Sequence, residues 1–288
     1  MHTDRNIAQP TIASLLRDSG DQLREISASA TLDAEMLLSH VLRKSRVQLY
    51  SGREKKVDAK KAALFINLVH RRVEGLPVAQ LIGSREFWSL DFTVTADTLI
   101  PRPETELLVE CALSHIEPDQ SADVLDLGTG TGAIALAIAR DRPNIHITAT
   151  DLSEAALAVA RYNAHTLNLK QVKFRLGSWF KAVSGQRFST IISNPPYVTE
   201  MELLVHDFEL RHEPSMALLG GKDGLDSIRE IVRLAPDYLF PGGWLAIEHG
   251  YRQGPGVAEL FKQAGFTSVF AYKDLQGHPR VTEGKLPR

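Results

Sequence analysis

A chain of 288 residues with 43% hydrophobic side chains is long enough for one large domain or two ordinary ones and apolar enough to bury a substantial core, which excludes a disordered chain. Its formal net charge of −2, from 33 basic and 35 acidic residues, argues against a protein that coats nucleic acid unaided. No apolar run approaches the roughly 18 residues that a membrane span needs. The polar start Met1-His2-Thr3-Asp4-Arg5-Asn6 has no apolar h-region behind it, so the expected location is the cytoplasm.

From Ile7 to about Gly75 apolar residues recur at helical spacing, as in Ile12, Leu15, Leu16 and again Ala34, Leu37, Leu38, Val41, Leu42, which predicts a small helical domain. Thr31, followed by Leu32-Asp33-Ala34-Glu35, reads as a helix N-cap, and a later helix is expected from about Asp58 through Ala62, Leu64, Phe65 and Leu68. Charge is uneven along the chain: residues 1–80 hold 13 basic against 9 acidic side chains, and the remainder is acidic. Arg53, Lys55, Lys56, Lys60, Lys61, Arg71 and Arg72 supply much of the excess, either as a patch for an acidic partner or as a solvated helix face. Gly75-Leu76-Pro77 ends the helical pattern, and the short alternating runs around Phe87, Trp88, Phe92 and Val94 predict a β-hairpin connector. The resulting division is residues 1–76, 77–100 and 101–288.

After Pro101 the period changes to strand-like runs alternating with helix-length stretches, the pattern of a parallel sheet flanked by helices. Strands are expected at 123–127, 145–150, 172–176, 190–193, 244–248, 268–272 and 280–283. The last two are joined by Lys273-Asp274-Leu275-Gln276-Gly277-His278-Pro279, too short for a crossover helix, and should pair antiparallel. A doubly wound α/β sheet of seven strands ending in an antiparallel hairpin is the class I methyltransferase variant of the nucleotide-binding architecture. The single Cys111 sits in an amphipathic helical pattern and excludes an intrachain disulfide and a multi-thiolate zinc site; a buried core residue is expected there.

Gly128-Thr129-Gly130-Thr131-Gly132 leaves the first parallel strand and opens a helix, and its glycines let the backbone turn tightly against a ligand. Asp151 ends the next strand, where a carboxylate can accept hydrogen bonds from both ribose hydroxyls. Both features serve a dinucleotide or S-adenosylmethionine alike. Ile191-Ile192-Ser193-Asn194-Pro195-Pro196-Tyr197 ends the fourth strand. Its two prolines remove N–H donors, Asn194 adds a side-chain carbonyl, and Tyr197 offers a flat wall, a cluster of acceptors suited to a planar NH2 group facing a methyl donor.

These motifs, with Leu99-Ile100-Pro101-Arg102-Pro103-Glu104-Thr105-Glu106 and Ser178-Trp179-Phe180, resemble the release factor glutamine methyltransferases, the HemK/PrmC family, over nearly the whole chain. The resemblance implies N5-methylation of the glutamine in the Gly-Gly-Gln motif of bacterial class I peptide chain release factors. S-adenosyl-L-methionine is the implied donor and S-adenosyl-L-homocysteine the product. It further implies cofactor binding by Gly128, Thr129, Gly130, Thr131, Gly132, Asp151, Trp179 and Asn194, and glutamine binding by Asn194, Pro195, Pro196 and Tyr197, with the Asn194 side-chain oxygen and the Pro195 carbonyl as the catalytic acceptors. Where members often carry Asp before the Trp, this chain has Ser178. The helical N-terminal domain is expected to grip the release factor, and the protein to be a monomer with no membrane or nucleic-acid substrate.

Asn-Pro-Pro-Tyr is shared with adenine-N6 methyltransferases, which are the rival enzyme reading; a non-catalytic binding module of the same fold is the rival of another class. Arg102 and Glu104 are expected either to line the pocket or to start a helix. His206 and His212, with Asp207, Glu209 and Glu213, match no metal-ligand spacing and read as a surface loop, and the resemblance implies that the segment ending Arg211-His212-Glu213-Pro214 borders the substrate site.

Overall fold

In the computed structural model, which describes residues 9–205 and 210–288, the chain divides into two units, Met1–Gly83 and Ser84–Arg288. The first unit consists of helices α1 (Ile12–Leu23), α2 (Ala30–Leu42), α3 (Arg46–Ser51), α4 (Ala59–Val73) and α5 (Val78–Ile82). Thr11 and Ser14 cap α1 reciprocally, each side chain accepting from the other's backbone N–H at 3.1 Å. The expected start of the later helix is met: Asp58 caps α4 by accepting from Lys60 N at 3.0 Å. The apolar stripes converge on Ile12, Leu16, Leu23, Leu37, Leu38 and Phe65.

Two expectations for this unit are corrected. Thr31 is not an N-cap, because α2 already begins at Ala30; the preceding Ser29 instead donates its hydroxyl to Asp33 at 2.9 Å. Arg72 is not part of a surface patch. It is 2% exposed and its guanidinium donates to the buried Asp33 carboxylate at 2.8 Å, whereas Arg53, Lys55, Lys56, Lys60, Lys61 and Arg71 are exposed. The inside of an amphipathic helix can hold a long cation when a carboxylate meets it there.

The second unit opens on a hairpin, β1 (Ser84–Phe87) and β2 (Leu90–Thr93), turned by Trp88 and Ser89, both at positive φ. The stretch foreseen as connector thus contains α5, which belongs to the first unit, and this hairpin. A 3-10 turn at Pro103–Thr105 leads into α6 (Glu106–Ser114), where Cys111 is buried as expected and its thiol is pushed up to about 12 by that burial.

Then follow β3 (Asp123–Leu127), α7 (Ala133–Asp141), β4 (His146–Asp151), α8 (Glu154–Thr166), β5 (Val172–Leu176), β6 (Phe188–Ser193), α9 (Glu200–Val205) and α10 (Ser215–Leu218). The chain ends with α11 (Asp226–Tyr238), β7 (Leu239–Glu248), α12 (Gly254–Gln263), β8 (Thr267–Lys273) and β9 (Pro279–Lys285). The seven strands β3–β9 form one sheet in the order β5-β4-β3-β6-β7-β9-β8. Neighbours from β5 to β7 are parallel, and β9 inserts antiparallel between β7 and β8, so the expected closing hairpin is present.

The central strands are apolar on both faces because helices cover both, hence Val124, Leu125 and Leu127 in β3 and Ile191 and Ile192 in β6 at 0% exposure. Chain order reverses between β3 and β6, and open α/β sheets bind ligands outside the carboxyl ends of the strands at such a reversal. The register puts Leu127 beside both Thr150 and Ser193, and Ser193 beside Ile247. The segments that leave β3, β4, β6 and β7 therefore emerge at one edge.

Candidate active site

The glycine loop leaves β3 at this edge. Gly128, Gly130 and Gly132 lie at φ of +71°, +54° and +82°, a region that side chains rarely adopt. The N–H groups of Gly128 and Thr129 both donate to Thr150 O at 2.9 Å, which ties the loop to the end of β4. Gly132 also needs the missing side chain, since a Cβ there would press on Leu136 Cδ1 at 3.1 Å and Ala160 Cβ at 3.3 Å. A Cβ on Gly130 would meet no protein atom and would stand in open space on the cavity wall.

Asp151 joins the loop directly. Its Oδ2 accepts from Gly130 N and its Oδ1 from Ser153 N, both at 2.9 Å, so the carboxylate is fixed while each oxygen keeps a lone pair for a further donor. Thr129 points the other way and donates to the buried Asp126 at 2.6 Å. Burial lifts the Asp126 carboxyl to about 7, against the lowering pull of the Thr129 hydroxyl. Asn163 braces the same loop from α8, donating to Thr131 O at 3.0 Å and to Thr93 O at 3.1 Å.

Trp179 begins a 3-10 turn after β5, at φ +44°, and its ring stands 3.5 Å from where a Gly128 Cβ would be. Trp179, Ser178, Asp151 and the whole Gly128–Gly132 loop except Gly132 line a cavity of about 450 Å³. Asn194 and Pro196 line it from the end of β6, whereas Pro195 is buried, and neither it nor Tyr197 lies on the wall. The Asn194 amide nitrogen donates to Thr105 Oγ1 at 3.3 Å, which leaves its carbonyl oxygen for an incoming donor.

The loop after Asn194 is held from several directions. Tyr197 OH donates to Glu248 Oε1 at 3.1 Å, the Tyr197 carbonyl accepts from Gln253 Nε2 at 3.0 Å, and Val198 N donates to Leu218 O at 2.8 Å. Burial and the neighbouring Glu248 push the Tyr197 hydroxyl far above its ordinary value, so it remains a donor. Arg102 lines the cavity, but its guanidinium donates to Glu213, whose other oxygen accepts from Ile100 N at 2.8 Å. Glu104 and His212 are not on the wall; His206, Asp207 and Glu209 lie outside the described residues. Among the described residues no group of three or more His, Cys, Asp or Glu is placed to hold a metal.

Asn163, Glu248 and Gln253 escape a motif reading, as do the roles of Thr105 and Glu213, since each acts through a partner distant in the chain. The charged residues on the wall are Asp97, Asp151 and Arg102, and Arg102 is already paired. With two carboxylates and one paired guanidinium among the described wall residues, the cavity suits a ligand bearing positive charge.

Sheet order, antiparallel insertion and a glycine loop facing an acidic strand end define a class I methyltransferase. The methyltransferase small domain family matches residues 103–209 and the PrmC N-terminal domain family matches residues 14–83. A release factor glutamine methyltransferase of Pseudomonas aeruginosa is 47% identical over 96% of this chain and 98% of its own length, and one of Xylella fastidiosa is 46% identical over 89% and 93%. A solved methyltransferase of Pyrococcus furiosus shares the fold with a TM-score of 0.54 at 19% identity, covering 80% of this chain and all of its own. The chain belongs to the release factor glutamine methyltransferase family.

Proposed function

We propose that this protein methylates N5 of the glutamine in the Gly-Gly-Gln motif of bacterial class I release factors, with S-adenosylmethionine as donor and S-adenosylhomocysteine as product. Family membership supports the substrate. The observation that carries the chemistry is Asn194 on the cavity wall with its NH2 turned to Thr105, so that a fixed carbonyl faces the space beside the glycine loop and Asp151.

The residues present fit the donor. Asp151 keeps free lone pairs for a ribose diol, the Gly128–Thr131 backbone gives close approach, and Trp179 presents a flat apolar ring for an adenine. S-adenosylmethionine, when bound, supplies an electrophilic methyl group on a cationic sulfur.

An amide nitrogen is a weak nucleophile because its lone pair is delocalised into the carbonyl. Asn194 Oδ1, on the cavity wall, accepts an amide hydrogen, orients the nitrogen and, with the backbone dipoles of its loop behind it, stabilises the positive charge that grows on that nitrogen. Rigid φ values at Pro195 and Pro196 keep these dipoles from reorganising during transfer. One amide proton then leaves to solvent, and no strong base is required beforehand. The helical unit, with its exposed basic residues, serves recognition of the release factor, and the protein works as a cytoplasmic monomer.

Incubation with methyl-labelled donor and either a release factor or an oligonucleotide tests this reading. Label is expected on the release factor and is lost when its Gly-Gly-Gln glutamine is changed to Ala; label on nucleic acid refutes it. Asn194→Ala is expected to lower kcat on the order of 10²- to 10³-fold, as loss of a comparable oriented dipole does. Near-wild-type turnover with intact cofactor binding refutes the role of Asn194.

A further inference from the structure

Glu248, the last residue of β7, is 1% exposed, and its Oε2 has no hydrogen-bond partner. A carboxylate at that depth is expensive unless something uses it. Its other oxygen accepts from Tyr197 OH at 3.1 Å. The Thr105 hydroxyl lies close enough to the carboxylate to favour its charged form, and the same Thr105 oxygen accepts from Asn194.

We propose that Glu248 is a positioning residue that sets both ends of the Asn194–Tyr197 acceptor loop, Tyr197 directly and Asn194 through Thr105. The proposal rests on the reading of that loop as the glutamine site. Its logic is the direction of hydrogen bonds. An ionised carboxylate is acceptor only, so Thr105 and Tyr197 must both donate to it. Thr105 then has only a lone pair for Asn194, which must turn its NH2 toward Thr105 and its carbonyl toward the substrate. A protonated Glu248 can donate to Thr105 instead. The Thr105 hydrogen is then free to bond Asn194 Oδ1 and occupies the acceptor that catalysis needs.

The charge state of Glu248 therefore bears on turnover. Burial lifts its carboxyl to about 7, opposed by the Thr105 and Tyr197 hydroxyls. The ionisable groups facing it are Tyr197 from the acceptor loop, Arg280 from β9 and Glu104 from the turn before α6. Arg280 lowers it while itself bound to Asp274 at 2.9 Å, and Glu104 raises it. On its own strand edge His249 is held neutral by burial, between Thr282 Oγ1 at 2.8 Å and Gly250 O at 2.9 Å.

The test compares wild type with Glu248→Gln, which keeps the shape, removes the charge and always carries a donor. Wild-type kcat, measured with saturating S-adenosylmethionine and release factor, is expected to rise through an ionisation near pH 7. Glu248→Gln is expected to lose that step and to fall about tenfold or more at high pH, the usual worth of a hydrogen bond to a charged group. Its cofactor Kd should stay within about twofold of wild type. A Glu248→Gln enzyme that keeps the wild-type plateau and pH profile overturns the proposal, as does a parallel loss of cofactor binding. Thr105→Val cuts only the Asn194 branch and serves if Glu248→Gln does not fold: a flattened profile supports the proposal and an unchanged one overturns it. Wild type that labels no release factor refutes the functional reading instead, so the two failures are distinguishable.

Discussion

Gly220 offers the sharpest test of whether placement of the acceptor loop governs turnover. It precedes α11 and lies against the back of the Asn-Pro-Pro-Tyr segment. A Cβ there would stand 2.6 Å from Pro196 O, 2.7 Å from Gly224 O and 2.8 Å from Tyr197 Cα. Its φ is not in the left-handed region, so alanine brings no backbone strain and the effect is steric alone.

All three neighbours are backbone atoms, and each is about 0.6–0.8 Å short of an ordinary contact, so no side chain can rotate away. The acceptor loop or the Gly220 turn must shift by that amount. A misplacement near 1 Å costs on the order of 10²-fold in rate, so Gly220→Ala should lower kcat by about 10- to 100-fold. Overpacking should also cost about 1–3 kcal/mol of stability. Cofactor binding should hardly change, because the Gly128–Gly132 loop, Asp151 and Trp179 are held by other contacts. The assay is methyl transfer to a release factor at saturating donor, with donor Kd by calorimetry and a thermal melt. Gly256→Ala, inside α12 with Leu225 Cδ1 at 3.6 Å as its nearest contact, is the control and should be neutral or slightly stabilising. A Gly220→Ala enzyme that folds, melts and turns over like wild type refutes the claim that this loop is rigidly positioned.

In the helical unit, Asp33→Ala leaves the Arg72 charge buried without its carboxylate, and should cost about 3–5 kcal/mol. Limited proteolysis should then cut residues 12–82 first while donor Kd is unchanged; stability equal to wild type refutes the buried pairing. Asp126→Asn addresses the raised carboxyl beneath the glycine loop. An acid whose pKa is about 7 when folded contributes stability that is complete below its ordinary value near 3.8 and is lost as pH rises through about 7. The ionised form thus costs on the order of 4 kcal/mol at pH 8. Urea denaturation should show Asp126→Asn gaining on wild type between pH 4 and pH 8, and a constant difference across that range refutes the buried charge.

The strands were legible because each obeys a local rule: buried parallel strands read as apolar runs, and a seven-residue link cannot hold a crossover helix. The glycine loop and Asp151 were legible for the same reason, as a turn and a strand end. Thr31 was misplaced because Ser29, two residues earlier, already serves the helix start, and both residues look alike as caps. Arg72 was misread because sequence shows its charge and not the side of α4 on which it falls. The pairings of Glu248 and Thr105 were invisible for a different reason. Thr105 meets Asn194 across 89 positions and Glu248 meets Tyr197 across 51, pairings decided by the order of strands in the sheet.

The arrangement also explains why net charge is a poor guide to this molecule. Burying Arg72 with Asp33 removes one charge of each sign, so the basic excess of the first 80 residues stays on exposed side chains, where an acidic partner can meet it. In the second unit the informative acids are the ones withdrawn from water. Asp126 and Glu248 stand near 7 because burial opposes their ionisation, while Asp151, fixed by two backbone N–H groups, lies on the cavity wall. A reaction that moves positive charge from sulfur to an amide nitrogen needs oriented dipoles and a suitably negative surround more than it needs a base. The edge where β3, β4, β6 and β7 end provides both, because the register brings the glycine loop, Asp151, Asn194 and Glu248 to the same level of the sheet.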